Sequence, residues 1–273
     1  MGAFEGIFRP NKGLKILCGM LGGLLVFLVR LVLVFPGNEQ NEPKLPPPPA
    51  NPYTPADFYY QGQLLYCSAG NAVPGVDVSD HQGSIDWQQV KASGIEFAFI
   101  RLGYRGYESG KLNADERFLE NIRNARAAGL KVGTYFFSQA VSVEEAEAEA
   151  QFAMELLAGE TLDLPLCYDW EYVSETARTA GVDRTLLTAC TAAFCQKVEA
   201  GGYAPMVYFN RSQALDMLHL EQLTSYDFWL AMYDVTMDFP YRVDFWQYSN
   251  QAAVPGIPGK ADLNLMFIYD TEE

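Results

Sequence analysis

Leu164-Pro165-Leu166-Cys167-Tyr168-Asp169-Trp170-Glu171 is an apolar run that ends in two acids. Its length and its Leu and Cys side chains read as a buried strand. Side chains alternate faces along a strand, so Asp169 and Glu171 share one face and Trp170 takes the other. Strand rise puts the two acids roughly 6–7 Å apart. Setting carboxyls side by side at the end of an apolar strand costs desolvation and repulsion. Metal binding, acid/base chemistry or a salt-bridge network could each justify that cost. The pair alone does not choose among them.

Outward from this strand the pattern repeats. Strand-like runs lie at 76–78, 97–102, 131–137, 164–170, 205–209, 228–232, 243–248 and 263–268. Helical patterns follow the first four, at 87–93, 114–128, 143–157 and 183–200. Asp86, Ser142 and Asp183 stand as N-caps, and Gly129 and Gly201-Gly202 as stops. Alternating strands and helices predict a parallel sheet, and eight strands predict closure. The expected fold is therefore α/β, an irregular (β/α) barrel of about eight strands with weak helices in its last third. In such barrels the chemistry lies at the strands' C-terminal ends. Asp77 falls at the end of the first strand, Asp169 and Glu171 at the end of the fourth, and Asp262 just before the last. Glu144 to Glu149 reads as a solvated helix face.

Net charge is −15. The first 44 residues hold five basic and three acidic side chains, leaving 14 basic and 31 acidic residues in the rest. Such an acidic domain is a poor nucleic-acid binder, because phosphate contacts need Lys and Arg. Cys67, Cys167, Cys190 and Cys195 fit no zinc spacing, and His81 and His219 are the chain's two histidines. No metal or other cofactor is expected. The cysteines read as mostly buried thiols, with one disulfide open in an oxidising compartment.

Residues 16–35 are apolar except for Arg30, and the run extended back to Leu14 would reach about 33 Å as a helix, enough to span a bilayer core. Arg9, Lys12 and Lys15 precede them. The positive-inside rule then places 1–13 as a cytoplasmic tail and the rest outside. We read 14–35 as a transmembrane signal anchor, with a cleaved signal peptide as the alternative. The expected location is the cell membrane, single-pass, with the remaining domain extracytoplasmic, or secretion if the segment is cleaved. Residues 36–56 form a Pro-rich linker. Residues 57–74 read as a short lead-in hairpin and 75–273 as the barrel, expected to be a monomer.

The motifs in register resemble the glycoside hydrolase family 25 muramidases, the Chalaropsis-type lysozymes. Gly75-Val76-Asp77-Val78-Ser79-Asp80-His81-Gln82-Gly83 with Ile85-Asp86-Trp87 is similar to the family's opening motif. Phe99 to Tyr104 and Gly129 to Ser138 resemble its second and third strands, and Asp169-Trp170-Glu171 its catalytic pair. Trp229 to Tyr233, Trp246-Gln247-Tyr248 and Asp262-Leu263-Asn264 resemble its late motifs.

The resemblance implies hydrolysis of the β-1,4 bond between N-acetylmuramic acid and N-acetylglucosamine, with peptidoglycan glycan strands as partner. It implies Glu171 as general acid and Asp169 as partner of the substrate's 2-acetamido group. Asp77 and Asp262 would hold the site. Tyr135, Phe137, Tyr208, Trp229, Tyr233 and Trp246 are candidate sugar-stacking walls. Arg101 is expected to pair with a barrel acid and His81 to order the loop after the first strand. Two alternatives stay beside this reading. One is a non-catalytic cell-wall-binding module on the same fold; the other, weaker, is a metal-dependent carbohydrate esterase.

Overall fold

The computed structural model describes residues 45–233 and 236–269. The expected tail, the spanning segment and the linker up to residue 44 lie outside the described residues. Among the described residues no helix is long and apolar enough to cross a membrane.

The chain enters through a hairpin, β1 (Phe58–Gln61) and β2 (Leu64–Cys67), as the lead-in reading expected. Eight strands then close a barrel: β3 (Asn71–Val78), β4 (Phe97–Arg105), β6 (Lys131–Ser138), β7 (Leu166–Trp170), β8 (Pro205–Asn210), β9 (Asp227–Ala231), β10 (Phe245–Ala252) and β11 (Ala261–Ile268). A short β5 (Leu112–Ala114) folds back on the end of β4. Helices α1 (Trp87–Ala92), α2 (Phe118–Ala127), α3 (Val143–Leu157) and α4 (Arg184–Ala200) follow the first four long parallel strands. Asp86, Ser142 and Asp183 cap their helices through side-chain oxygens. Later connections carry only short helical turns, which is the expected irregularity.

The all-parallel expectation fails at one strand. β11 runs antiparallel to both neighbours, β10 and β3. Only residues 253–260 join β10 to β11, too few for the crossover of a dozen or more residues that a parallel pair needs. The reversal has a functional consequence. It carries Asp262, near the start of β11, to the mouth where the other strands end, opposite Asp77. Residues 114–117, expected as the first turn of a helix, instead hold the end of β5 and a turn. There Asp115 is buried against Arg101, and the helix begins at Phe118.

Strand alternation sorts the side chains into two cores. Inside the barrel lie Phe97, Phe99, Cys167, Met206, Trp229, Phe245 and Met266. Between barrel and helices lie Val76, Ile100, Phe136, Tyr168, Trp170, Phe194 and Leu230, among others. Phe99 stacks on Trp229 with centroids 4.7 Å apart, and Phe245 meets Phe99 edge-on at 5.0 Å. This aromatic layer plugs the barrel below the mouth. It needs glycine at two places. A Cβ on Gly75 would collide with the Phe97 ring, and one on Gly133 with the Phe99 ring and Leu164. We expect Gly133→Ala to cost about 1–3 kcal/mol of stability by overpacking, read as a lower urea midpoint with unchanged slope.

The end of the Pro-rich stretch is fixed to the barrel. Ala50 bridges Tyr241, Arg242 N donates to Pro49 O at 2.8 Å, and the Asn51 side chain donates to Phe239 O at 2.9 Å. These contacts precede β10, so they lie at the base, where strands begin. Cys67, Cys167, Cys190 and Cys195 are free thiols, and the last three are buried. The solvated-face reading of 144–149 is corrected at Glu149. That side chain is wholly buried, bound to Arg105 Nε at 2.5 Å and Ser138 Oγ at 2.6 Å.

Candidate active site

The mouth of the barrel holds four carboxyls in one small cavity of about 140 Å³. Asp77 comes from β3, Asp169 and Glu171 from β7 and the residue just past it, and Asp262 from β11. Arg101, Tyr135, Phe137, Tyr208, Trp229, Tyr233 and Gln247 complete the lining. The period-two expectation holds: Asp169 and Glu171 face the cavity, while Trp170 points outward and donates from Nε1 to Ala140 O at 3.0 Å.

Gln247 is the hub. Its Nε2 donates to Asp77 Oδ2 at 2.7 Å and to Asp262 Oδ2 at 3.4 Å. Its Oε1 accepts from Tyr233 OH at 2.6 Å and Tyr208 OH at 3.1 Å. Asn264 adds a second donor to Asp77 Oδ2 at 2.8 Å and accepts from Trp229 Nε1 at 2.8 Å. These two amides lie in the late motifs Trp246-Gln247-Tyr248 and Asp262-Leu263-Asn264, but no site role was expected of them. The signal was present, because Gln247 shares a strand face with Phe245, and Asn264 shares one with Asp262.

Burial on the aromatic plug dominates the electrostatics, since a charged carboxylate loses water there. Burial raises Asp77, against the donors Asn264 and Gln247 that favour its anion. Burial also pushes Asp262 up to about 8, helped by the charge of Asp77 and a hydrogen bond with it. Asp77 therefore keeps the charge of that pair and Asp262 the proton. Asp169 stands well above the usual carboxylate range, first through burial and then through the charges of Glu171 and Asp77. Glu171 is raised by burial and by Asp77. The Asp169–Glu171 hydrogen bond acts oppositely on the two, raising Asp169 and lowering Glu171. Burial outweighs it for Glu171, so this pair also holds a proton above the ordinary carboxylate range. Asp169 Oδ1 is buried without a hydrogen-bond partner.

These shifts carry a stability cost of definite sign. Asp262 is raised from 3.8 to about 8, so between those values the folded protein holds a proton that the unfolded chain has lost. Stability from this group is full below its unfolded value and is lost as pH climbs through the folded one. Asp262→Asn is thus expected to be more stable than the parent at pH 8, by roughly 1–3 kcal/mol. The gap should close toward pH 4, followed by thermal unfolding across the range. A gap that is constant or inverted would count against this assignment.

The candidate sugar walls divide. Tyr135, Phe137 and Tyr233 are half-buried at the rim of the cavity. Tyr208 is buried, and Trp229, 1% exposed, is the cavity's floor rather than a wall. Trp246 is not in the site at all. It neighbours inward-facing Gln247, so it points out of the barrel, donates to Met232 O and packs edge-on against Phe58 at 5.3 Å. Arg101 lines the cavity, but its ion pairs go to Asp80 at 2.6 Å and Asp115 at 2.9 Å. His81 is exposed, in the short turn after β3.

A groove of about 610 Å³ continues from the site between the turn after β3, the β4–β5 hairpin and Val173. It shares Arg101 and Phe137 with the cavity. A larger concavity, about 850 Å³, lies at the barrel's base among Leu164, Pro165, Phe245 and Met266. It is remote from the four carboxyls. Size alone does not make it the functional site, since convergent polar groups with perturbed pKa values lie at the mouth.

Comparison with known proteins agrees with this geometry. The sequence pattern of "Glycosyl hydrolases family 25" matches residues 76–257. Lysozyme M1 of Streptomyces globisporus is 27% identical over 289 residues, covering 97% of this chain and 94% of that protein. The autolytic lysozyme of Clostridium acetobutylicum is 28% identical over 193 residues, 70% of this chain and 54% of its own length. Among solved structures, the modular autolysin LytC of Streptococcus pneumoniae in complex with a synthetic peptidoglycan ligand superposes with a TM-score of 0.64 at 25% identity. That match covers 77% of this chain and 52% of LytC, so the chain spans about half the autolysin's length. The bacterial lysozyme of Streptomyces coelicolor gives 0.54 at 28% identity, covering 71% of this chain and 91% of the lysozyme.

Proposed function

The chain belongs to glycosyl hydrolases family 25, and from that membership we propose that it is a peptidoglycan muramidase. It cuts the β-1,4 bond between N-acetylmuramic acid and N-acetylglucosamine, and Glu171 protonates the leaving oxygen. The observation that carries this is the meeting of four carboxyls, buried from below by the aromatic plug, at one barrel mouth. Nothing in binding alone requires so costly a cluster.

The arrangement supports a substrate-assisted route. Asp169 and Glu171 lie close enough for each to shift the other's proton. An inverting pair would need a gap of about 6.5–9.5 Å for a water between the carboxyls. Asp169 lines the cavity and supplies the carboxylate that a substrate acetamide N–H would need as acceptor. Accepting that N–H favours the Asp169 anion and shifts the shared proton to Glu171. The acetamide oxygen, its N–H held by Asp169, then attacks the anomeric carbon while Glu171 protonates the departing oxygen. The returning Glu171 carboxylate takes a proton from the water that opens the cyclic intermediate. Asp77, held by Gln247 and Asn264, keeps a negative charge behind both groups. Tyr135, Phe137 and Tyr233 at the rim offer faces for sugar rings.

Turbidity clearing and reducing-sugar release from purified peptidoglycan test this reading. Sedimentation with the polymer and no cleavage would favour the binding-module alternative instead. The apolar segment 14–35 supports a single-pass anchor with the domain extracytoplasmic. A mature protein starting after about residue 35 and free in the medium would overturn the anchor.

A further inference from the structure

Strand β7 ends at Trp170, where its ladder with β6 also ends, one residue beyond its last pair with β8. Glu171 lies one residue further, on backbone that neither neighbouring strand pairs. A proton donor must be held to well within an ångström, and loose backbone does not do that. Two buried glutamines fill the gap. Gln139, directly after β6, donates from Nε2 to Glu171 O at 2.7 Å and to Ser138 O at 2.9 Å. Gln213, three residues after β8, donates from Nε2 to Trp170 O at 2.8 Å. Consecutive carbonyls point to opposite sides of a strand, so each flanking strand supplies one amide where its next rung would have been. Gln139 is wholly buried and Gln213 5% exposed. A buried polar side chain is the informative exception in a core.

Both amides are themselves held. Gln139 O accepts from Arg178 Nη1 at 2.9 Å, and Gln139 Oε1 accepts from Thr179 Oγ1 at 3.4 Å. Arg178 grips Glu145 with two bonds, at 2.6 and 2.9 Å, which ties the clamp to α3. Gln213 Oε1 accepts from Asn210 N at 3.0 Å, and Asn210 Oδ1 accepts from Gln213 N at 2.9 Å.

We propose that Gln139 and Gln213 are positioning residues that clamp the Trp170 and Glu171 carbonyls and so fix the Glu171 carboxyl at the mouth. Neither touches substrate. The proposal rests on the reading of Glu171 as proton donor.

Gln139→Met keeps the side chain's length and removes both donors. In the full chain acting on purified peptidoglycan, its kcat is expected to fall about 10- to 100-fold with KM within about threefold. The basic limb of kcat/KM against pH should move to lower pH, because a Glu171 carboxyl released toward water gives up its proton more readily. Gln213→Met should do the same more weakly. The double variant should fall short of the product of the two, since the two amides hold the successive peptides on either side of Glu171. Val198→Ala, a core change on α4 far from the mouth, serves as a stability control at matched Tm loss.

Wild-type kcat and pH profile in Gln139→Met, beside an inactive Glu171→Gln, would remove the clamp alone. An equal kcat loss and unmoved pH limb in Val198→Ala and Gln139→Met would reduce Gln139 to a structural residue and also overturn it. Wild-type activity in Glu171→Gln would remove the reading beneath it. Should Gln139→Met fail to fold, Gln213→Met decides by the same readouts.

Discussion

Glu171→Gln is expected to lower kcat/KM on purified peptidoglycan by about 10³-fold, with binding to the polymer retained. Glutamine preserves the volume and can still hydrogen-bond, but it has no proton to give to the leaving oxygen. Burial raises both carboxyls of the pair, so the parent holds a shared proton above the ordinary carboxylate range, and substrate contact at Asp169 moves it to Glu171. The parent's kcat/KM should therefore fall on the basic side as this proton is lost, and that limb should vanish in Glu171→Gln. Thermal unfolding should show a variant at least as stable as the parent near neutral pH, since a costly buried acid has been removed. A variant with parental turnover would show that protonation lies elsewhere.

Asp169→Asn is expected to lower kcat by about 10²-fold, less than the loss of the acid. An asparagine oxygen can still accept the acetamide N–H, but it brings no negative charge to the amide as its oxygen attacks. It also removes the anion that would keep the proton on Glu171, and its own amide can donate to Glu171. The basic limb should accordingly move to lower pH. A direct-nucleophile role for Asp169 makes a different prediction. Azide added to a variant lacking the carboxylate would then restore turnover and yield a glycosyl azide. On the substrate-assisted reading no such product forms.

Much of this was legible in the chain. The apolar runs marked every barrel strand, and the caps Asp86, Ser142 and Asp183 were found where expected, because local hydrogen bonding fixes them. The direction of β11 was missed because its apolar pattern is the same in either direction. The expected strands 243–248 and 263–268 left 14 residues between them, room for a crossover, whereas the longer strands of the structure leave only 253–260. Trp246 was misplaced because a motif does not say which face its aromatic takes, whereas parity with Gln247 does. Glu149 looked solvated because Arg105, its partner, lies 44 residues away in sequence. Gln247, Asn264 and Gln139 were given no site role for a related reason. Amides give little signal alone, and their role appears only once the barrel brings acids and carbonyls to them.

Muramidase action belongs, on this reading, to the acidic mouth. Its most direct test is digestion of purified peptidoglycan, borohydride reduction of the fragments and mass spectrometry of the new ends. Muramitol is expected at the reduced ends, absent from the Glu171→Gln digest. Glucosaminitol at those ends, or no new ends at all, would contradict it.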